Sequence, residues 1–522
     1  MKQLLQTRRV FVLILALGLF TMAARSATDP DMWWHLRTGQ LILQNHRIFH
    51  ADPYSFTRFG QPWVDHEWLS QVFICSLYRV AGWGGLIAGF AAIIAAAFLL
   101  VFRRSPGQPY IAGAITAWGA VASIPCGGVR PQMLTLLLAS ILLLILERSY
   151  QRPKLLWWIP PLMLLWVNLH AGFAVGIALL ALFLIGDGLD LAFGLKEPHL
   201  SPERFRQLAL IIATCAAIVP LNPYGLQMYR YPFATLHSRA MQAYIGEWAS
   251  PDFHQGRYLP VLVLMLATLV LAALSPRRLR PRELLLLTVT TYAALRSVRH
   301  IPIYVLVAVP LVSGMIQAWM RERLEIAAER RKHKAQGASP GSAVGDDQVP
   351  EGRKSGWSLD FLLEASQNPL TLAKLAINAV LLVGFLCFTV ARLHYVVVHQ
   401  PETEAKEFPA AAASFLMTSR PAGPMLNHYN WGGYFIWKLS PAYKVYIDGR
   451  ADLYGDAFMD EFAATYYLKG KSWQDPLSRW GIETVVLPPD APLIAALREM
   501  PAWKQVFADR QAVILTRTGS RR

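Results

Sequence analysis

DPDMWWHLRTGQ, Asp29 to Gln40, follows directly on the first apolar segment of the chain. Two carboxylates, the rings of Trp33, Trp34 and His35, and Arg37 thus emerge where a helix would leave a bilayer. A charged side chain in hydrocarbon costs roughly 3 kcal/mol or more at mid-depth, so such residues commonly line a cavity and have a task. An acidic cluster at the mouth of a first span points to chemistry at a membrane surface, without saying which.

The composition fits that setting. Of 522 residues 54% are hydrophobic and 16% charged, and the mean hydropathy is +0.31. Soluble domains are closer to a quarter charged, so repeated apolar runs of spanning length mark an integral membrane protein. The net charge of +16 does not indicate nucleic acid. Lys and Arg cluster in short gaps between apolar runs, and no basic face is interleaved with base-stacking aromatics. Cys75, Cys126, Cys215 and Cys387 lie far apart in or beside apolar runs. They have neither metal-ligand nor disulfide spacing, and read as small buried hydrophobes.

The runs at 10–25, 83–102, 110–125, 132–147, 155–168, 172–190, 208–221, 258–275, 283–297, 301–319 and 371–393 predict about eleven transmembrane helices, several below the ~20 residues that cross a ~30 Å core. A removable signal peptide competes for the first, since Arg8 and Arg9 precede it and Arg25-Ser26-Ala27 offers a small-residue site. The acidic motif that follows directly favours an anchor. With the N-terminus cytoplasmic, the inside gaps 1–9, 103–109, 148–154, 191–206 and 276–282 carry 15 Lys/Arg in 46 residues. The outside gaps 25–68, 126–131, 168–172, 221–257 and 296–300 carry 10 in 97. That asymmetry orients the chain and leaves its C-terminus outside.

Two domains are expected: a membrane domain over 1–393 and an extracytoplasmic α/β domain over 394–522. The first includes an outer loop, 25–68, with the acidic motif, and a partly disordered cytoplasmic loop, 320–370. That loop opens with a charged helical stretch, Arg321 to Lys334, and passes into a Gly/Ser/Pro/Asp linker, Gln336 to Gly356. A short interfacial helix, Trp357 to Leu363, precedes the last span. In the tail, Lys444–Ile447, Glu483–Leu487 and Ala512–Thr516 read as strands, and 457–468, 473–480 and 491–499 as helices.

This topology puts the polar oddities on one side. Asp29, Asp31, His35, the run Asp65, His66 and Glu67, Arg130, Asn168, His170, Asn222, Glu247, Arg296, Arg299 and His300 all fall at outer helix ends or in outer loops. Polar groups from separated segments that converge on one face form the layout of an active site. Each has a plainer alternative. Asp29 fits a helix N-cap ahead of Pro30, whereas Asp31 has no such role. Asp65, His66 and Glu67 offer ligands for a divalent metal, although three consecutive residues do not converge on one ion unaided; a polar loop before the helix at Trp68 serves as well. Asn168 and His170 suit a hydrogen-bonded helix end. Arg296, Arg299 and His300 suit either a headgroup anchor or a phosphate clamp, since arginine presents a planar fork to phosphate oxygens. Asp448 and Arg450, in the loop Ile447 to Asp452, either pair with one another or face the membrane site.

The order of these motifs resembles the lipid-dependent membrane glycosyltransferases of the GT-C superfamily, most closely the aminoarabinose-lipid A transferases and protein O-mannosyltransferases. Those proteins place an acidic pair after span one, then an amphipathic helix along the membrane, a Gly-x-Pro turn, and a helix that opens on an aromatic-Trp-Leu signature. Here stand Asp29 and Asp31, the helix Met32 to Gln44, the turn Gly60-Gln61-Pro62-Trp63, and Glu67-Trp68-Leu69. Two departures are visible. Pro30 separates acids that are commonly adjacent, and Asp65-His66-Glu67 replaces the usual Lys-Pro-Pro.

The resemblance implies a GT-C-like helical bundle in a prokaryotic inner or plasma membrane, serving the cell envelope. It implies transfer of a sugar from a polyprenyl-phosphate donor to a glycan, lipid or protein acceptor. Asp31 or Asp29 would take the acceptor's proton. Arg130, Arg299 and His300 would stabilise the departing phosphate, with His170, Asp65, His66 and Glu67 near the substrates. A metal is left open. A transporter or flippase of lipid-linked sugars would instead place ionisable groups at mid-membrane. A non-catalytic envelope-assembly protein would not need the acidic pair.

Overall fold

The computed structural model describes residues 5–194, 201–336 and 371–519; the expected linker beyond Gln336 and the helix expected over Trp357–Leu363 lie outside them. In hydrocarbon a backbone must satisfy its own N–H and C=O groups, so apolar runs become helices. They form α1 (Thr7–Ala23), α2 (Met32–Asn45), α3 (Trp68–Arg104), α4 (Pro109–Ala122), α5 (Gln132–Arg148), α6 (Ile159–Leu169), α7 (Phe173–Ala192) and α8 (Pro202–Ile218). Two connecting helices follow, α9 (Gln227–His237) and α10 (Arg239–Tyr244), then α11 (Leu259–Leu274), α12 (Pro281–Arg296), α13 (Ile301–Gln336) and a further helix, Leu372–Val398. Among the described residues six helical stretches are long and apolar enough to cross a membrane: Trp68–Arg104, Phe173–Ala192, Pro202–Leu221, Gly256–Leu274, Val298–Glu329 and Leu372–Val398. The other expected spans are helical but shorter.

The stretch Val298–Glu329, which contains most of α13, is the buried centre of the bundle, with 72% of its most apolar window inside. Leu372–Val398 is peripheral, with 11%, and exposes Val380, Val383 and Phe388 as a face suited to lipid. Cys75, Cys126 and Cys215 are free and buried, as expected; Cys387, on this outer helix, is free but exposed, because the helix is peripheral and no other element covers its position. α3 is two helices joined at Ala81 and Gly82. Gly82 has φ +55, a conformation that glycine adopts without steric cost. The N-terminal half of α3 packs on α2, where a Cβ on Gly39 would lie 2.1 Å from the Gln71 carbonyl oxygen. Only glycine permits that approach.

After Leu372–Val398 the chain forms a four-stranded sheet with order β1-β2-β4-β3: β1 (Met425–Asn427), β2 (Thr484–Leu487), β3 (Trp503–Ala508) and β4 (Val513–Arg517). β1 and β2 are parallel and the other pairs antiparallel. β2 and β4 match the expected strands within a residue. Lys444–Ile447 does not join the sheet. Val445 bridges Ser55 of the first long loop instead. The Val445 N–H donates to the Tyr54 carbonyl (3.2 Å) and the Phe56 N–H to the Val445 carbonyl (3.1 Å). A strand-like sequence is thereby used to dock one part of the chain on another, which strand propensity cannot distinguish from sheet pairing. The expected helices appear as Ala451–Tyr466, Asp475–Arg479 and Pro492–Arg498.

Candidate active site

A cavity of about 400 Å³ opens where the loops after α1 and before α3, the ends of α5, α6 and α13, and the sheet-bearing part of the chain meet. Asp29, Asp31, Asp65, His66, Glu67, Arg130, His170, Arg299 and His300 all line it. Asn168, Asn222 and Arg296 do not. Asn168 Oδ1 accepts from Trp68 Nε1 (3.0 Å) and Asn222 Nδ2 donates to the Val167 carbonyl (2.9 Å), both helix-end roles. Arg296 reaches Gln242 (3.0 Å).

The acidic pair is split in function by its contacts. Asp29 Oδ1 accepts the Asp31 N–H (2.9 Å), and its Oδ2 lies 2.8 Å from Arg130 Nε. Burial raises its pKa, against the pull of Arg130. Asp31 Oδ1 accepts only from Trp34 Nε1 (3.1 Å), and its carboxylate lies against Gly449 of the loop between Ile447 and Asp452. Burial, and then the charge of Asp29, push its pKa up to about 7. Asp31 is thus the carboxylate with no cation on it, poised near neutrality.

A second group surrounds Glu67. His35, His66 and His170 bring Nε2 to 3.3, 3.0 and 3.2 Å of its carboxylate oxygens. Burial alone would raise Glu67; the imidazoles, His66 first, more than reverse this and hold it well below the usual carboxylate range. His170 Nδ1 accepts the Gly172 N–H (2.9 Å), so its proton sits on Nε2, toward Glu67. Burial lowers His170 to about 3 and His35 to about 4, leaving both neutral. Burial would lower His66 as well, but Glu67 outweighs it and the pKa is raised. The imidazoles close on the carboxylate itself rather than on a shared point. Among the described residues no three His, Cys, Asp or Glu side chains are placed to hold a metal ion. Asp65, buried beside them, accepts from Gln71 Nε2 and is pushed up to about 7 by burial.

The cationic end is built from three helix termini. Both terminal nitrogens of Arg130 are on Glu247, Nη2 at 2.9 Å from Oε2. Arg299 lies over the Trp248 ring (4.9 Å), with Nε 3.7 Å from Glu247. Arg299 Nε and His300 Nδ1 are buried without hydrogen-bond partners.

The far wall comes from the other end of the chain. Arg450 is buried, with Nε and Nη2 on Asp448 (2.8 and 2.7 Å) and Nη1 on Asp52 of the first long loop (2.8 Å). Asp448 and Arg450 pair with one another, Arg450 also lines the cavity, and the pair fixes Gly449 against Asp31. Sequence reasoning did not reach Asp452, Tyr231 or Tyr429, which also line the cavity. The loop from Ile447 to Asp452 carried a signal for Asp452; Tyr231, whose ring packs 4.2 Å from His66, carried none.

No family model and no curated protein matches this sequence. Among solved structures the chain is similar to archaeal oligosaccharyltransferase AglB from Archaeoglobus fulgidus, in complex with an inhibitory peptide and a dolichol-phosphate, at TM-score 0.51 and 10% identity over 91% of this chain and 69% of that one. It is also similar to the apo form of the A. fulgidus oligosaccharyltransferase, at TM-score 0.47 and 10% identity over 92% and 70%. A third similar structure is ArnT from Cupriavidus metallidurans bound to undecaprenyl phosphate, at TM-score 0.45 and 16% identity over 98% of both chains. At 10% identity the likeness to AglB shows a shared fold, here a polytopic helical bundle followed by a sheet-containing C-terminal part.

Proposed function

We propose that the chain transfers a sugar from a polyprenyl-phosphate donor to an extracytoplasmic acceptor, with Asp31 as general base. The observation that carries this reading is the pairing, within one cavity, of a cation-free carboxylate raised to about 7 with a cationic end at Arg299. A base titrating near the working pH combines the deprotonated form with good proton affinity. In the step proposed, the acceptor hydroxyl attacks the anomeric carbon and its proton passes to Asp31. The bond from that carbon to the phosphate oxygen breaks, and the lipid phosphate leaves as an anion toward Arg299. Asp29, tied to Arg130, positions rather than accepts. The apolar lining at Leu236, Ile245 and Ile303 suits the first units of a prenyl chain. The GT-C fold, and the dolichol-phosphate in AglB, support a lipid-phosphate donor.

The same reading places residues 1–393 as the membrane domain and 394–522 outside the cytoplasm. The ionisable groups sit at helix ends, which favours transfer over transport. The test uses the full chain in nanodiscs with a panel of undecaprenyl-phosphate sugars labelled in the sugar. Release of undecaprenyl phosphate by wild type but not by Asp31→Asn supports the proposal; equal release by both overturns it.

A further inference from the structure

Arg130 is ion-paired with two carboxylates. Its Nε lies on Asp29, and its two terminal nitrogens form a fork on one carboxylate, that of Glu247. Glu247 belongs to a single turn, Gly246–Trp248. That turn is tied down on its backbone: Ser297 Oγ donates to the Glu247 carbonyl (2.8 Å) and the Val298 N–H to the Ala249 carbonyl (3.0 Å). The anchor lies next to Arg299 in the chain, so the backbone keeps Glu247 between two guanidinium groups. Its side chain is not locked in the same way. It remains 32% exposed, open to the cavity, and makes no contact with Arg299 closer than 3.7 Å.

We propose that the Glu247 carboxylate is a resident stand-in for the donor's phosphate, displaced when the donor binds. This rests on the transferase reading above. Several features point the same way. A two-oxygen anion held by a guanidinium fork is the geometry by which arginine grips phosphate. The buried Arg299 Nε and His300 Nδ1, both without hydrogen-bond partners, provide further places for phosphate oxygens beside it. The charges balance: Asp29 and Glu247 offset Arg130 and Arg299, and a sugar phosphodiester carries one negative charge, as Glu247 does. Exchange of one for the other leaves the anionic charge on the fork unchanged. Arg130 keeps Asp29 through Nε and offers the same fork to the phosphate. The swap needs rotation of one side chain, about a third exposed, and no movement of the Gly246–Trp248 backbone. In the empty site the carboxylate prevents two guanidinium groups from facing each other unpaired, and it competes with any anion that enters.

The experiment is equilibrium binding of labelled undecaprenyl phosphate to the full chain in nanodiscs, for wild type, Glu247→Gln and Arg299→Ala. Glu247→Gln keeps the shape but removes the competing charge, and is expected to bind about tenfold tighter. Arg299→Ala is expected to bind about tenfold weaker. Binding by wild type with equal or weaker binding by Glu247→Gln overturns this inference and leaves the transferase reading intact. Absence of binding in all three proteins overturns the transferase reading itself. A wild-type structure with undecaprenyl phosphate bound serves where Glu247→Gln does not fold. The phosphate should occupy the Arg130 fork, with Glu247 rotated away. A phosphate bound elsewhere while Glu247 keeps the fork refutes the swap.

Discussion

Gly449→Ala isolates the geometry on which the site depends. A Cβ built on Gly449 would lie 1.7 Å from Asp31 Oδ1, and 2.8 Å from its carboxyl carbon. Carbon–oxygen contacts below 3.0 Å are essentially not tolerated, so either the carboxylate or the loop retreats by more than an ångström. The loop is the less yielding partner, because Arg450 ties it to Asp448 and Asp52 in a buried network. Gly449 is not among the residues with positive φ, so alanine adds a clash without adding backbone strain. Overpacking of this kind costs about 1–3 kcal/mol of stability. Misplacement of a catalytic group by ~1 Å can cost ~100-fold in rate, or about 2.7 kcal/mol of barrier. The assay is single-turnover sugar transfer with saturating donor, alongside thermal melting and donor binding. The expected result is a folded protein with near-normal donor affinity and a rate reduced about 100-fold. A wild-type rate in a folded Gly449→Ala protein would refute the assignment of Asp31 as the base.

Transfer by wild type should rise with pH through about 7, since the Asp31 pKa is raised to about that value by burial and only the deprotonated carboxylate accepts a proton. Trp34→Phe removes a donor that favours the carboxylate and should move that limb to higher pH; a profile flat across the neutral range, or a limb that moves down, contradicts this. Arg450→Met would leave Asp448 and Asp52 buried without their cation, a loss of about 3–5 kcal/mol, read as a lower melting temperature and faster proteolysis; an unchanged melting temperature would show that the docking lies elsewhere. Arg299→Lys keeps the charge but loses the planar fork, so donor titration should give weaker binding than wild type and stronger than Arg299→Ala; equal affinity in all three would make Arg299 a headgroup anchor only. A reporter fused after Arg522 should be active only outside the cytoplasm, and one inserted at Gly341 only inside; the reverse would turn the site to the other face.

Much of the site was legible because membrane insertion separates polar from apolar residues strongly. Burying Asp31, Glu67 or Arg130 without a role is costly, so each stood out against its surroundings. What each residue does was not legible. Arg130 and Arg299 look alike in sequence, yet one is held closely by two carboxylates while the other comes no nearer than 3.7 Å to Glu247. Asp65, His66 and Glu67 suggested metal ligands by residue type. In the fold His35 and His170, from separate helices, join His66 around Glu67 and turn it into the centre of a hydrogen-bonded group.

By itself the sequence determined which runs become helices, because hydrocarbon leaves the backbone no other partner, and that the acidic motif lies at the end of the first of them. It also determined β2 and β4, each of which carries a run of three buried apolar residues, Val485–Leu487 and Val513–Leu515. Only the tertiary structure decided that Lys444–Ile447 docks on the first long loop and that Gly449 meets Asp31. It also decided which carboxylate is left without a cation. Those outcomes depend on contacts between residues 100 or more positions apart, from Asp29 with Arg130 to Arg450 with Asp52. Local propensity carries no information about such pairs; the packing of the whole chain selects them.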